Sequence, residues 1–222
     1  MTNLTQSYYC GAASEPIIYR TIGDYFDDIA QRFPENQALV SCHQDIRWNY
    51  AELSRQVDKL ATGLLKIGVG KGDRVGIWGP NSYEWTLVQF ATAKIGAIMV
   101  CINPAYRLYE LEYALNKVEC KAIVTAERFK TSEYLTMLQE LAPELSSCEP
   151  GKLQAKKLPH LRTIVRMGEE KTPGMFNFGD VTEMGGQKKR RRLKASSIHF
   201  IPMSPSIFSS PVVRLAARKA PR

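Results

Sequence analysis

Asp73-Arg-Val-Gly-Ile-Trp-Gly-Pro-Asn-Ser-Tyr-Glu-Trp-Thr-Leu-Val-Gln-Phe-Ala-Thr-Ala-Lys-Ile-Gly-Ala-Ile-Met-Val-Cys-Ile102 decides the fold. Its first six residues read as a buried strand. Asn81 or Ser82 then caps a helix that carries Trp85, Val88, Thr92 and Ile95 on one face, and residues 97–102 form a second, continuously apolar strand. Apolar strands joined through a helix imply a parallel sheet with helices on its faces, and the crossover is expected to be right-handed.

The pattern extends in both directions. On the amino-terminal side, Thr21 caps a helix with Ile22, Phe26, Ile29, Ala30 and Phe33 on one stripe, ended by Pro34. Residues 38–42 and 45–48 suit a hairpin around His43-Gln44. Asn49 caps the next helix, with Glu52 at its third position and Leu53, Val57, Leu60, Leu64 and Ile67 at intervals of four and three until Gly68 stops it. On the other side, Leu108, Leu111, Leu115 and Val118 mark a helix, residues 121–125 a strand, 132–141 a helix and 163–167 a fourth strand. Three regions are expected: a flexible leader (1–20), an α/β domain (21–186) and a basic Ser/Pro-rich tail (187–222).

The charge of the whole chain, +8, hides a sharp division. All 22 acidic residues and 20 of the 30 Lys and Arg precede residue 187, so the body carries −2 and the tail +10. The body therefore has no polyanion-binding balance of its own. Cys10, Cys42, Cys101, Cys120 and Cys148 contain no Cys-x-x-Cys pair, which excludes the common zinc and redox spacings. Cys101 and Cys120 sit in or beside apolar runs and are expected to pack as small core residues in a reducing compartment. The longest apolar run, residues 97–102, is far short of a membrane span.

A search for chemistry is mostly negative. Gly68-Val-Gly70-Lys71-Gly72 lacks both the third small residue of a dinucleotide fingerprint and the Ser/Thr after Gly-Lys of a Walker loop, and it joins a helix to a strand rather than a strand to a helix. It reads as a turn. His43, His160 and His199 are far apart and lack neighbours at metal-ligand spacing. Glu110 and Glu112 lie two apart on a helix and so on different faces. Arg74 and Lys94 are expected to be solvated or helix-end charges.

Three blocks carry a resemblance: Trp48-Asn-Tyr50-Ala-Glu52-Leu53, the run from Gly68 to Trp85 that contains Gly79-Pro-Asn-Ser-Tyr-Glu-Trp85, and Ala93-Lys94 through Asn103-Pro104-Ala-Tyr-Arg107. In this order they resemble the N-terminal part of the adenylate-forming (AMP-binding) superfamily, nearest its medium-chain fatty acyl-CoA ligase branch. The resemblance covers residues 20–184. It implies a partial N-terminal domain, a mostly parallel sheet flanked by helices, and, for the intact family, activation of a fatty acid through an acyl-adenylate. ATP, CoA and Mg2+ are the implied cofactors, and a mitochondrial site is implied, with a cytoplasmic one as the alternative. The family's phosphate loop, aromatic-Thr-Glu segment, ribose-holding Asp and C-terminal Lys have no counterparts here, so the resemblance assigns no catalytic, cofactor-binding or metal residue. The chain is expected to be a truncated ligase, inactive alone, with an uncovered sheet edge and an uncovered apolar face.

Two alternatives stand beside it. One is a non-catalytic partner or regulator of a full-length ligase. The other is a nuclear or nucleic-acid-associated protein directed by Lys188-Lys-Arg-Arg-Arg192. That run has no aromatic neighbours suited to base stacking, so nucleic acid is not the expected partner. The tail's loss of periodicity and of acidic residues favours an altered frame, a retained intron or a mistaken gene model over a selected segment.

Overall fold

The computed structural model describes residues 18–186; the expected leader up to residue 17 and the basic tail lie outside the described residues. Helix α1 (Ile22–Arg32) starts where Thr21 accepts a hydrogen bond from the Asp24 N–H, and it buries Phe26 and Ala30. Ile22 and Phe33, at the ends of its stripe, stay exposed. Strands β1 (Gln37–Ser41) and β2 (Ile46–Asn49) pair antiparallel around a 3-10 turn at Cys42–Gln44. Asn49 caps α2 (Tyr50–Lys66) by accepting from the Glu52 N–H at 2.8 Å. The four-and-three spacing is met: Leu53, Val57, Leu60 and Leu64 are all buried, each worth about 2 kcal/mol of transfer free energy.

Five parallel strands follow: β3 (Arg74–Trp78), β4 (Ile98–Ile102), β5 (Ala122–Thr125), β8 (Thr163–Arg166) and β9 (Phe176–Asn177), in the order β4-β3-β5-β8-β9. Helix α3 (Tyr83–Ile95) links β3 to β4, and α4 (Leu108–Lys117) returns from β4 to β5. A two-residue hairpin, β6 (Arg128–Phe129) with β7 (Ser132–Glu133), leads into α5 (Tyr134–Leu141). One core joins α1, α2, α3 and α6 (Phe178–Gly186) to Val75, Ile77, Val124 and Val165 of the sheet. The other sets Leu111, Leu115 and Leu138 against Ile123 and Ile164. Both faces are thus covered, which corrects the expectation of a bare apolar face.

Strand β4 is one edge of the sheet: among the described residues no strand lies beyond it, and Ile98 and Cys101 are exposed. Cys101 is therefore not the core residue its apolar run suggested, whereas Cys120 is fully buried. Helix α6 has no clear periodic signal in the sequence. It crosses α2 so closely that a Cβ on Gly63 would stand 1.9 Å from the Val181 carbonyl oxygen, and one on Gly185 would stand 1.8 Å from that of Lys59. The Lys66 ammonium donates to the Met184 carbonyl and Lys59 pairs with Glu183 at 3.1 Å, tying the end of α6 to α2. Among the described residues no helix is long and apolar enough to cross a membrane.

Candidate functional site

In an open parallel sheet, a crevice forms at the carboxyl ends of the strands where the direction of winding reverses. That reversal lies between β3 and β5, because the chain moves outward to β4 and then back across β3. The candidate site is therefore built from the turns that follow Trp78, Ile102, Thr125 and Arg166. The turns after β3 and β5 lie against each other: a Cβ on Gly79 would be 3.1 Å from that of Ala126.

The start of α3 is capped from a distance. Ser82 holds the cap position but makes no cap bond, and its buried hydroxyl has no partner among the described residues. Gln44, in the turn of the β1–β2 hairpin, replaces it. Its Oε1 accepts from the Tyr83 N–H at 2.8 Å and from the Ser41 hydroxyl at 2.8 Å, while its Nε2 donates to Glu84 at 2.9 Å. The buried Glu84 carboxylate sits in the first helical turn, where the helix dipole favours it. Burial, reinforced by Glu84, pushes the Tyr83 hydroxyl up to about 12. Sequence reasoning placed Gln44 in a hairpin turn but had no signal for its reach to α3.

The turn after β4 is held from beneath. The rings of Trp78 and Tyr134 stack at 3.8 Å. The Trp78 indole N–H donates to the Asn103 carbonyl at 3.1 Å, and the Tyr134 hydroxyl donates to the Pro104 carbonyl at 2.7 Å. Asn103 Oδ1 accepts from the Ala105 N–H at 2.9 Å, closing the turn on itself. Two fully buried aromatic side chains therefore fix one backbone turn of the Asn-Pro-Ala-Tyr-Arg block.

At the ends of β5 and β8, Arg166 is 5% exposed and contacts Glu127 at 3.2 Å and Glu170 at 2.9 Å. It also donates to the Thr172 hydroxyl at 2.8 Å, while its buried Nε has no partner among the described residues. Asn177, beside it in β9, donates to the carbonyls of Gly168 and Glu170. A shallow cleft of about 490 Å³ adjoins this cluster, lined by Thr172, Phe176, Asn177, Lys171 and Asp180 among others. The carboxylates here are committed, Glu84 to Gln44 and Glu127 and Glu170 to Arg166. Among the described residues no group of three or more His, Cys, Asp or Glu could hold a metal ion.

The remaining residues singled out in the sequence fall elsewhere. Residues 68–72 form a turn at the amino end of β3, with Gly68 and Gly72 at positive φ, and the Asp73 carboxylate accepts from the Gly70 N–H at 2.8 Å and pairs with Lys121 at 2.7 Å. Arg74 is half-buried rather than solvated; it donates to the Val118 carbonyl and to Glu119. Lys94 stands in the last turn of α3, a helix-end position as expected, but it is not solvated. Only 6% exposed, it contacts Asp27 at 2.5 Å and Asp58 at 2.6 Å, and it lies 5.3 Å from the centre of the Phe26 ring. Glu110 caps α4 by accepting from the Arg107 N–H. His43 lies 3.4 Å from the Ser41 hydroxyl, and His160 is exposed on a loop; His199 and the basic run lie outside the described residues. None of the described residues among these lines the turns of the crevice.

Known proteins match this framework. A model of the AMP-binding enzyme family matches residues 26–201. The chain is 46% identical over 183 residues to the mitochondrial medium-chain acyl-CoA ligase ACSF2 of Mus musculus, covering 82% of this chain and 30% of that one. For the Danio rerio protein of the same name the identity is 41% over 191 residues, with coverage of 86% and 31%. Among solved structures, an anthranilate CoA ligase, AuaEII, in complex with anthranoyl-AMP superposes with a TM-score of 0.64 at 24% identity, over 78% of this chain and 30% of that one. A long-chain-fatty-acid-CoA ligase, FadD1, from Archaeoglobus fulgidus gives 0.61 at 24% identity, over 80% and 32%. The chain spans about a third of the length of these relatives.

Proposed function

Since the chain belongs to the AMP-binding enzyme family, we propose that residues 18–186 are the scaffold of an ATP-dependent medium-chain acyl-CoA ligase, and that the 222-residue polypeptide by itself does not adenylate a fatty acid. The observation that carries the assignment is the 46% identity over 183 residues with a relative named for that reaction. The names of the Mus musculus and Danio rerio relatives support a mitochondrial location as well.

Activation of a carboxylate needs charge stabilisation around the α-phosphate and the attacking oxygen. The crevice meets only part of that need. It supplies rigid turns, held by Gln44, Trp78 and Tyr134, but its buried cation, Arg166, is already paired with two carboxylates. The groups that would bind ATP and CoA must then be brought to these turns from outside residues 18–186.

The test has two arms. The purified 222-residue chain, given ATP, CoA and octanoate, should form no octanoyl-CoA above a heat-killed control. A chimera in which residues 18–186 replace the matching segment of the mouse ligase should form it. Turnover by the 222-residue chain alone would overturn the inactivity claim, and a folded but inactive chimera would overturn the scaffold assignment.

A further inference from the structure

The segment from Gly168 to Gly174, between β8 and β9, is held in place without burying an apolar side chain. Glu169, Glu170, Lys171 and Pro173 are exposed and Thr172 is half-buried. Gly168 and Gly174 bracket the segment at φ of 88° and 73°, backbone positions at which a chain can bend. A Cβ on Gly174 would stand 2.3 Å from the Leu145 carbonyl oxygen, which pins that end, whereas nothing lies within 4 Å of one on Gly168. The segment reaches over the crevice. Arg166 beneath it also meets Glu127 of the turn after β5, and Glu169, after burial and Glu84, adds to the upward push on the Tyr83 hydroxyl at the start of α3. Lys171, Thr172, Pro173 and Gly174 form one wall of the cleft of about 490 Å³.

The fastenings of the segment are polar. Arg166 donates from Nη1 to the Thr172 hydroxyl at 2.8 Å and from Nη2 to Glu170 at 2.9 Å, and Asn177 donates to the carbonyls of Gly168 and Glu170. The Lys171–Asp180 pair at 3.7 Å adds little, because its side chains are 82% and 54% exposed. The same Nη2 of Arg166 lies 3.2 Å from Glu127. The two glutamates are not equivalent. Glu127 belongs to a fixed turn, its carbonyl accepting from the N–H groups of Tyr134 and Leu135 at the start of α5, while Glu170 rides on the segment. A buried cation stripped of its only counter-ion is costly. Here water can take up the Glu170 carboxylate, 78% exposed, while Arg166 keeps Glu127.

We infer that residues 168–174 form a strap over the crevice, closed when Arg166 holds Glu170 and Thr172 and open when Arg166 is left to Glu127. The two arrangements share one buried cation, and passing between them breaks no pairing in the sheet, as local opening requires. Release of the strap widens the cleft that its residues wall. The inference concerns the fold and is independent of the ligase reading.

The test follows hydrogen exchange in the 222-residue chain by NMR. The Met175 N–H, which donates to the Thr172 carbonyl at 3.2 Å, reports the strap; the Met167 N–H, which donates to the Thr125 carbonyl at 2.8 Å, reports the sheet beneath it. Glu170→Ala should speed exchange at Met175 roughly fivefold and Glu170→Ala/Thr172→Ala roughly 25-fold, with Met167 unchanged. Glu127→Ala should not speed it, because Glu170 is then the sole counter-ion of Arg166. In the parent chain, raising NaCl from about 0.05 M to about 0.5 M should speed exchange at Met175 alone, since salt screens a pair with one exposed partner; this arm stands even if a variant fails to fold. No change in the double variant, no change with salt, an equal gain in Glu127→Ala, or a parallel gain at Met167 would each overturn the strap. Because no ATP, CoA or fatty acid enters the measurement, its result is separate from that of the activity tests.

Discussion

Lys94 shows how differently one charge behaves when neighbours from two other helices surround it. Its ammonium is buried, while its partners Asp27 and Asp58 remain 40% and 42% exposed. Removing the cation leaves two carboxylates that water can reach; removing both carboxylates strands a buried cation. The double variant Asp27→Asn/Asp58→Asn should therefore cost about 3 kcal/mol, and Lys94→Met only about 1 kcal/mol, read from urea midpoints; the reverse order would refute the burial argument. Gln44 and Ser82 give a second contrast. Gln44→Ala removes the cap of α3 and a partner of buried Glu84, for about 2 kcal/mol. Ser82→Ala, at the nominal cap, should change stability by less than about 0.5 kcal/mol, since its hydroxyl bonds nothing among the described residues. Thiol chemistry follows exposure: burial pushes the Cys120 thiol up to about 12, so an alkylating reagent should label exposed Cys42 and Cys101 in the folded protein and reach Cys120 only on unfolding.

At the scale of elements, the crossing of α2 and α6 is the contact most sensitive to a single methyl group. Backbone meets backbone there, so a side chain cannot move aside. Gly63→Ala should cost about 3 kcal/mol, the upper range for overpacking, or else detach α6. Hydrogen exchange separates these outcomes: peptides covering residues 178–186 should lose protection while β3 and β5 keep theirs. If α6 stays as protected as in the parent, the crossing is looser than its geometry states. The Lys59–Glu183 pair is a weaker tie, because the glutamate is 69% exposed; breaking it should cost under about 1 kcal/mol. Edge and centre differ in the same way among the strands. β3 and β5 are buried along both faces, whereas β4 exposes Ile98 and Cys101. A run of apolar residues reports burial on average but not which strand lies last in the sheet.

For the whole molecule, pH tests how the loop before β3 is held to the sheet. Burial alone would raise the Asp73 carboxyl, but the hydrogen bond from Lys121 and that from the Gly70 N–H outweigh it and hold the group below its ordinary value of 3.8. Its contribution to stability is therefore complete above that value and is lost as pH falls through the lower, folded-state value. Asp73→Asn should flatten the acid limb of the stability profile below about pH 4, while an acid limb identical to the parent's would show that Asp73 does not govern it. Much of the architecture was legible beforehand. Helices α1 to α5 and strands β1 to β5 and β8 fall within a residue or two of expectation, because each is written in a local rhythm of apolar side chains and caps. The crevice was not legible. Its supports join residues far apart in the chain, 39 positions from Gln44 to Tyr83 and 30 from Pro104 to Tyr134. By itself the sequence determined a parallel α/β sheet and its family, since periodicity and motif order are properties of neighbouring residues. Tertiary structure alone decided which strand became the edge, that Lys94 is buried, that Gln44 caps α3 and that α6 locks onto α2, because each depends on groups that only folding brings within a few ångströms.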